Sequence, residues 1–581
     1  MRGRSSSITR KILFFSFLIS VSVAVFVFRF SVFGDIEPRS DQAFFSWWVQ
    51  GLYQADHLFP DVGAGESWLT ALQRDDGGFL HRLLRPIYGR ALSVFTLVNL
   101  GIFYAMTWVL GPTYGAQVAT SLLGSALIVL MLGLFPVCAS GRRPNGNGLS
   151  HKFGIGAVAV LLGATSVHLH FYSPWIIHNY AVSILLIAAA LGTRVLAAPT
   201  DQLRSMWVVV LVVYGLAFFA NWTNLFLLPA ATFVSILVVP GLSFKKRMSF
   251  VIGFATFSAI LAIPFLIAAD VEGSRNLVSS STTVRAFVYS VFFPAAGDLS
   301  PSVIQRAVGW LERGSQLFSA AGLVLGILGL AAWARWERVT LPLFIVITHF
   351  LVWCAVADFR TAYFRTFVYV APFLFLGIAY LSVISGQTIW AALKRGALGG
   401  KALASVAVLG LLTAHIYIQV PPFFSPQEGR DRVPEAWEMY FSGQGSLKPA
   451  MAEIDDILPA RAVIVTWGYG IQFLLRNYEI EGPGRTVAPT LLTMIPRFED
   501  GTLPDHIKRR HLSVPIGVPI FTLIDHSLDH VDRESVRQGI ESVFGPNGFG
   551  VIKKAALEPV GKWRLDSFWP RDVALYRVET N

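Results

Sequence analysis

"KILFFSFLISVSVAVFVFRFSVFGDIEPRSDQ", residues 11–42, runs from a basic start through a long apolar stretch into a cluster of acids. Arg29 is the single charge between Ile12 and Phe33, and a helix needs about 20 predominantly apolar residues to cross a bilayer. The preceding MRGRSSSITRK is basic, as at the start of a signal peptide. No small-x-small cleavage site follows, and Phe28-Arg29-Phe30 stands where one would be sought. The pattern predicts an uncleaved signal anchor with its amino terminus inside. A cleaved signal peptide is the alternative.

Composition extends the membrane reading to the whole chain. Of 581 residues, 54% are hydrophobic and 14% charged, with a mean hydropathy of +0.56. Soluble domains carry about 25% charged residues. The net charge of +11 would suggest nucleic acid in a soluble protein. Here the basic residues fall largely in short loops between apolar runs, where the positive-inside rule places them. No nucleic-acid partner is predicted. Cys138 and Cys354, the two cysteines, lie in or beside apolar runs and offer neither a disulfide framework nor a thiolate metal site.

Apolar runs predict spans near 12–33, 92–111, 117–138, 153–169, 176–197, 206–220, 223–242, 249–269, 317–334, 340–357, 366–386 and 402–420. Basic residues at 142–143, 245–247, 335–338 and 394–395 then share one side, the cytoplasmic one. Twelve crossings would put both termini on that side, although the amino terminus is read as inside and the tail as outside. The conflict lies between residues 1 and 138, where either 92–111 is not a full crossing or a short crossing is hidden. The expected fold is an α-helical polytopic membrane bundle of about 11–13 spans with a C-terminal extracytoplasmic α/β domain. Its expected divisions are a signal-anchor span (1–33), an extracytoplasmic loop with a juxtamembrane helix (34–91), a multi-span domain (92–420) and the external domain (421–581).

The tail rests on a change in pattern. "PPFFSPQEGRDR" reads as a linker, after which charges return to ordinary density. "ARAVIVTWGYG" reads as a buried strand with a glycine turn, followed by helix-like "IQFLLRN". "VPIFTLIDH" is a second strand, and "DRESVRQGIESVFG" has an amphipathic helical period with a glycine stop. "FGVIKKAALEPVGKWRLDSFW" and "VALYRVE" read as closing strands, completing a small α/β domain.

Just beyond the first span, Ser40 can cap a helix with Asp41 in its first turn. Phe44, Phe45, Trp48, Val49 and Leu52 recur along one face, as expected of a helix in the membrane interface. Anchoring explains the aromatics but does not require the acid. An acid at the first external boundary can act as a base on an acceptor hydroxyl or hold a metal.

One span, an acidic juxtamembrane helix, many further spans and an external domain resemble the layout of the GT-C glycosyltransferases over residues 1 to about 420. "GAVAVLLGATSVHLHFYSPWIIHNYAVSILLIAAAL" looks like the family's middle spans, and "AFFANWTNLFLLPAATF" resembles the next external hairpin. "ADFRTAYFRTFVYVAPFLFLGIAYL" resembles a late segment in which an Arg or Tyr lies near the donor phosphate. "DHLFPDV" is similar to a Leu-Phe-Pro element in a group of bacterial GT-C-like proteins. The resemblance implies transfer of a sugar from a polyprenyl-phosphate donor to a glycan, lipid or protein acceptor at the external face of the bacterial inner (plasma) membrane. Asp41 matches the family's external acid, with Asp35 and Glu37 nearby. The usual paired acid is absent, since the chain has Ser40-Asp41-Gln42. That departure counts against a metal requirement; a divalent metal is left open and no cofactor is assigned.

The expected substrate-binding residues are Arg365, Arg360 and Tyr363 at the outer end of a span, together with Asp56, His57, His170 and Tyr172. A guanidinium matches phosphate oxygens in a bidentate way; snorkelling of both arginines to lipid headgroups is the alternative. His168, His170, Tyr172, Trp175, His178 and Asn179 form a compact external turn that suits sugar contact or an interface. The histidines lack a partner carboxylate at metal-ligand spacing. Two other classes compete with the transferase: a transporter or flippase of lipid-linked substrates, and a non-catalytic membrane protein whose external domain binds a partner. Coupled transporters usually carry charges within their spans, and the runs above are almost free of them.

Overall fold

The computed structural model describes residues 2–34, 49, 97–111, 113–139, 148–175, 178–197, 203–238, 244–271, 303–355, 364–396, 399–424, 453–454, 456–459, 462–467, 478–479, 485–489, 519–525, 533–544, 553, 555–565 and 571–580. The chain forms two compact units, one around a helical bundle and one around a β-sheet.

The bundle contains α1 (Arg2–Phe33), α3 (Tyr114–Ala139), α4 (Gly148–Ala164), the short α5 (Val167–Phe171) and α6 (Asn179–Ala197). It continues through α7 (Leu203–Ala220), α8 (Trp222–Val238), α9 (Phe244–Val271), α10 (Val303–Glu337) and α11 (Leu341–Ala355). A 3₁₀ helix (Phe364–Tyr369), α12 (Ala371–Arg395) and α13 (Gly400–Phe424) complete it. The remaining early helix, α2, spans Leu97–Leu110. Among the described residues six helices are long and apolar enough to cross a membrane, and the shorter apolar helices coincide with the other predicted spans. Ile12, Leu13, Ile19 and Val23 of α1 and Val208, Val209 and Val212 of α7 are exposed. In water such faces would mark a binding surface or an aggregation hazard; hydrocarbon solvates them at no cost, while each helix satisfies its own backbone.

The structure bears on the crossing conflict. Asn99 Nδ2, in the first turn of α2, donates to the Ala220 carbonyl at the end of α7 (2.9 Å). Early in α3, the Thr120 carbonyl accepts from Tyr180 Oη (2.9 Å), and Ser121 Oγ donates to the Ser173 carbonyl (3.0 Å). Asn224 Nδ2 joins the two places, donating to the carbonyls of Ala181 and Ala217 (3.0 Å each). Both flanks of α2 thus lie at one end of the bundle. Of the two alternatives given above, the structure favours the one in which 92–111 is not a full crossing. Helices α1, α3, α4 and α6 through α13 run along the bundle, and among the described residues six of them are long and apolar enough to cross a membrane.

Residues 303–316, between the predicted spans 249–269 and 317–334, are helical as the first part of α10. Ser319 interrupts that helix with φ 57° and ψ 155°. Its Oγ accepts from Gly322 N (3.1 Å), capping the second part. The new helix therefore begins where hydropathy had placed a span.

Small residues set the tightest packing. A Cβ on Gly329 of α10 would strike the backbone of Gly377 in α12, and one on Gly377 would strike the Gly326 carbonyl. Only hydrogen side chains allow this approach, a common device for helix pairs in lipid. Lys245 and Arg247 begin α9, Arg335 is near the end of α10, and Lys394-Arg395 end α12. All belong to one end, called here the basic end.

The sheet runs in the order β2-β3-β1-β4-β6-β5. Its strands are β1 (Ala462–Trp467), β2 (Tyr478–Glu479), β3 (Arg485–Pro489), β4 (Ile520–Asp525), β5 (Ala555–Leu565) and β6 (Arg571–Thr580). β3 and β4 flank β1 in parallel, and β2 pairs parallel to β3. β6 pairs antiparallel with β4 and β5. The predicted strands are β1, β4, β5 and β6; β2 and β3 had been missed. The predicted amphipathic helix is α14 (Arg533–Phe544), with Val536 and Ile540 buried. Ala462, Ile464, Phe521, Leu523, Val573 and Leu575 form the core, with Trp563 against it.

Candidate functional site

A network of hydrogen-bonded polar groups lies at the end opposite the basic one, in the turn between α4 and α6. Ser166 Oγ caps α5 by accepting from Leu169 N (3.2 Å). Ser173 Oγ donates to the His170 carbonyl (2.6 Å). Asn179 Nδ2 reaches the Ser173 carbonyl (2.6 Å), Ser121 Oγ (2.8 Å) and the Ser121 carbonyl (3.1 Å). These bonds fasten the turn to α3. They also satisfy carbonyls that would be costly to leave bare in a buried setting.

The turn's rings form a continuous wall. His170 lies against Phe28 and Phe33 of α1 (centroids 5.5 and 4.9 Å). Burial, and then the nearby Arg29 charge, hold its imidazole well below the ordinary histidine range, so it is neutral at pH 7. Tyr172 stacks on Trp175 (5.3 Å), and Trp175 adjoins His178 (5.9 Å). His178 Nδ1 and Tyr369 Oη are hydrogen-bonded at 2.8 Å. Tyr369 is the last residue of the 3₁₀ helix on which Arg365 lies.

That six-residue helix is enclosed by aromatic side chains. Phe367 is buried among Trp310 (5.5 Å), Phe318 (6.2 Å), His349 (5.3 Å) and Trp353 (5.4 Å). Trp310 Nε1 donates to His349 Nδ1 (3.0 Å), so the neutral ring carries its proton on Nε2. His349 also hydrogen-bonds the backbone at Thr366, next to Arg365. Thr223, Phe226, Leu227, Val352, Trp353, His349 and Thr366 line an apolar pocket beside this helix.

The structure thus brings His170, Tyr172 and the backbone of Arg365 to one end of the bundle. Asp41, Asp56, His57, Arg360 and Tyr363 lie outside the described residues, as does the juxtamembrane helix apart from Val49. Among the described residues no three His, Cys, Asp or Glu side chains converge as metal ligands. Arg29 is fully buried; its guanidinium hydrogen-bonds Ser125 Oγ and lies 3.5 Å from the Gly163 carbonyl. Sequence reading had noted it only as an interruption. Trp310, His349 and Tyr369 were not singled out. A lone histidine in "LPLFIVITHFLVWCA" was the available signal for His349.

No family model matches the chain, and no curated protein matches it. Solved structures similar in layout at low identity include the following three. ArnT from Cupriavidus metallidurans in the apo state is 12% identical over 98% of both chains, with a TM-score of 0.47. The same protein bound to undecaprenyl phosphate is 11% identical over 92% of this chain and 96% of that one, with a TM-score of 0.43. The arabinofuranosyltransferase AftD from Mycobacteria is 13% identical over 93% of this chain and 39% of its own, with a TM-score of 0.37.

Proposed function

We propose that the protein is a membrane glycosyltransferase that moves a sugar from a polyprenyl-phosphate donor to an acceptor hydroxyl at the outer face. The observation that carries this reading is the meeting of the His170–Tyr172 turn and the Arg365 helix through the His178–Tyr369 hydrogen bond. The positive-inside rule makes the basic end cytoplasmic, so this meeting point faces outward. A ring-lined surface suits a sugar, and a guanidinium suits the phosphate that leaves it.

In the reaction, the acceptor oxygen forms a bond to the anomeric carbon while the bond from that carbon to the phosphate oxygen breaks. The leaving phosphate keeps the electron pair, and Arg365 offsets its charge in surroundings poorer in water than bulk. Asp41 takes the acceptor's proton, a role assigned from its place in the sequence. His170, held neutral, contributes surface and hydrogen bonding rather than charge.

Asp41→Asn tests the reading. Transfer from a radiolabelled polyprenyl-phosphate sugar should fall by at least about 10²-fold, the usual minimum for loss of a general base, while expression and membrane insertion stay normal. Unchanged transfer would remove Asp41 from the mechanism.

A further inference from the structure

We propose that Trp310, His349, His178 and Tyr369 are positioning residues that clamp the 3₁₀ helix Phe364–Tyr369 from two sides and so hold Arg365 in register for a donor phosphate. The proposal rests on the phosphate role given above to Arg365. A six-residue 3₁₀ segment has little stability of its own, because its hydrogen bonds are poorly aligned and its runs are short. Its placement must come from neighbours. One clamp is the His178–Tyr369 bond at its last residue, 2.8 Å long and joining positions 191 residues apart. The other is the relay from Trp310 Nε1 to His349 Nδ1 (3.0 Å), and from His349 to the backbone at Thr366. Between them Phe367, Val368 and Tyr369 are buried.

The break in α10 makes the second clamp more than incidental packing. Ser319 adopts φ 57° and ψ 155°, a conformation that is costly for any residue but glycine. Its Oγ accepts from Gly322 N and is hydrogen-bonded to His415 Nδ1 (3.1 Å each). A continuous helix would avoid that cost. The break separates the segment bearing Trp310 from the rest of α10, and that segment is tied to α11 by the Trp310–His349 bond. A bidentate guanidinium–phosphate contact tolerates little misplacement, so a doubly held backbone suits the residue that would make it.

The test measures binding of undecaprenyl phosphate, with undecaprenol as its uncharged counterpart, to the full-length protein in detergent. Trp310→Phe and Tyr369→Phe each keep an aromatic ring and remove one hydrogen bond. Each should weaken undecaprenyl phosphate binding about fivefold to tenfold and leave undecaprenol binding unchanged. In an Arg365→Ala background neither should weaken phosphate binding further. Equal losses for both lipids would overturn the proposal, because the residues would then only shape an apolar wall. Parental binding by both phenylalanine variants, with a loss in Arg365→Ala, would overturn the clamps and leave the phosphate role standing. Parental binding by Arg365→Ala would overturn the phosphate role and the clamps with it. The two clamps lie on different helices, so one poorly folding variant leaves the other as a complete test.

Discussion

The two ends of the bundle solve the problem of buried polarity differently. At the basic end, His151 Nε2 of α4 lies 3.3 Å from Glu337 Oε1 of α10, and His151 Nδ1 meets Gln387 Nε2 of α12 at 3.1 Å. Three helices are thereby joined through one imidazole, whose Nδ1 accepts from the Gln387 amide and whose Nε2 faces the Glu337 carboxyl, with glycine-to-glycine contact along α10 and α12 farther in. At the opposite end the described contacts are mainly uncharged: Asn179, Ser121, Ser173, Tyr180 and Asn224 bond backbone carbonyls, while His178 and His349 bond Tyr369 and Trp310. At the basic end a single imidazole between two flexible side chains can follow small shifts. Hydrogen bonds to fixed carbonyls cannot, because they need both distance and angle. The basic end is built to close the bundle and the other to hold a shape.

The largest stability effect should come from the glycine seam. Gly329→Leu places a side chain where Gly377 backbone stands, and overpacking against atoms that cannot rotate away costs about 3 kcal/mol. Thermal unfolding in detergent should show a marked drop or loss of the folded protein; near-parental stability would mean that the seam opens easily. His151→Ala comes next, because it removes the imidazole that contacts both Glu337 and Gln387 at a largely buried position. We expect a loss of about 1–3 kcal/mol from removing a hydrogen-bond partner of buried polar groups, with donor affinity unchanged.

Asn179→Ala should cost less stability, about 1–2 kcal/mol from unsatisfied carbonyls, yet it should weaken donor binding where His151→Ala does not. If both variants change affinity equally, the contrast between the ends fails. The smallest effect is expected in α14 of the sheet unit. Hydrogen bonds from Arg537, and then from Gln538, hold the Glu534 carboxyl down to about 2 from an ordinary 4.5. Its folded value lies below its unfolded one, so its contribution is present above pH 4.5 and lost as pH falls toward 2. The unfolding midpoints of the parent and Arg537→Ala should therefore converge on acidification; a gap that widens would contradict the pairing.

Much of the scaffold was legible in the chain because hydropathy and period are local quantities. The long apolar runs became helices, and "ARAVIVTW" and "DRESVRQGIESVF" became β1 and α14. β2 and β3 escaped because two and five residues carry too little pattern. Of the candidate site, the histidine-rich turn and the neighbourhood of Arg365 were visible as separate segments. Their junction was not, because Tyr369 looks like any aromatic ahead of an apolar run.

Composition and spacing alone establish the apolar helices, the side on which basic residues gather, the sheet unit after residue 421 and the acids that follow the first span. They leave undetermined that α2 does not cross, that α10 breaks at Ser319, and that His178 and His349 grip one short helix from two sides. Crossing depends on which helix ends meet, and a hydrogen bond between residues 191 apart exists only once the intervening helices have packed. Apolar runs are specified residue by residue, whereas partners are specified by the packing of all the helices together.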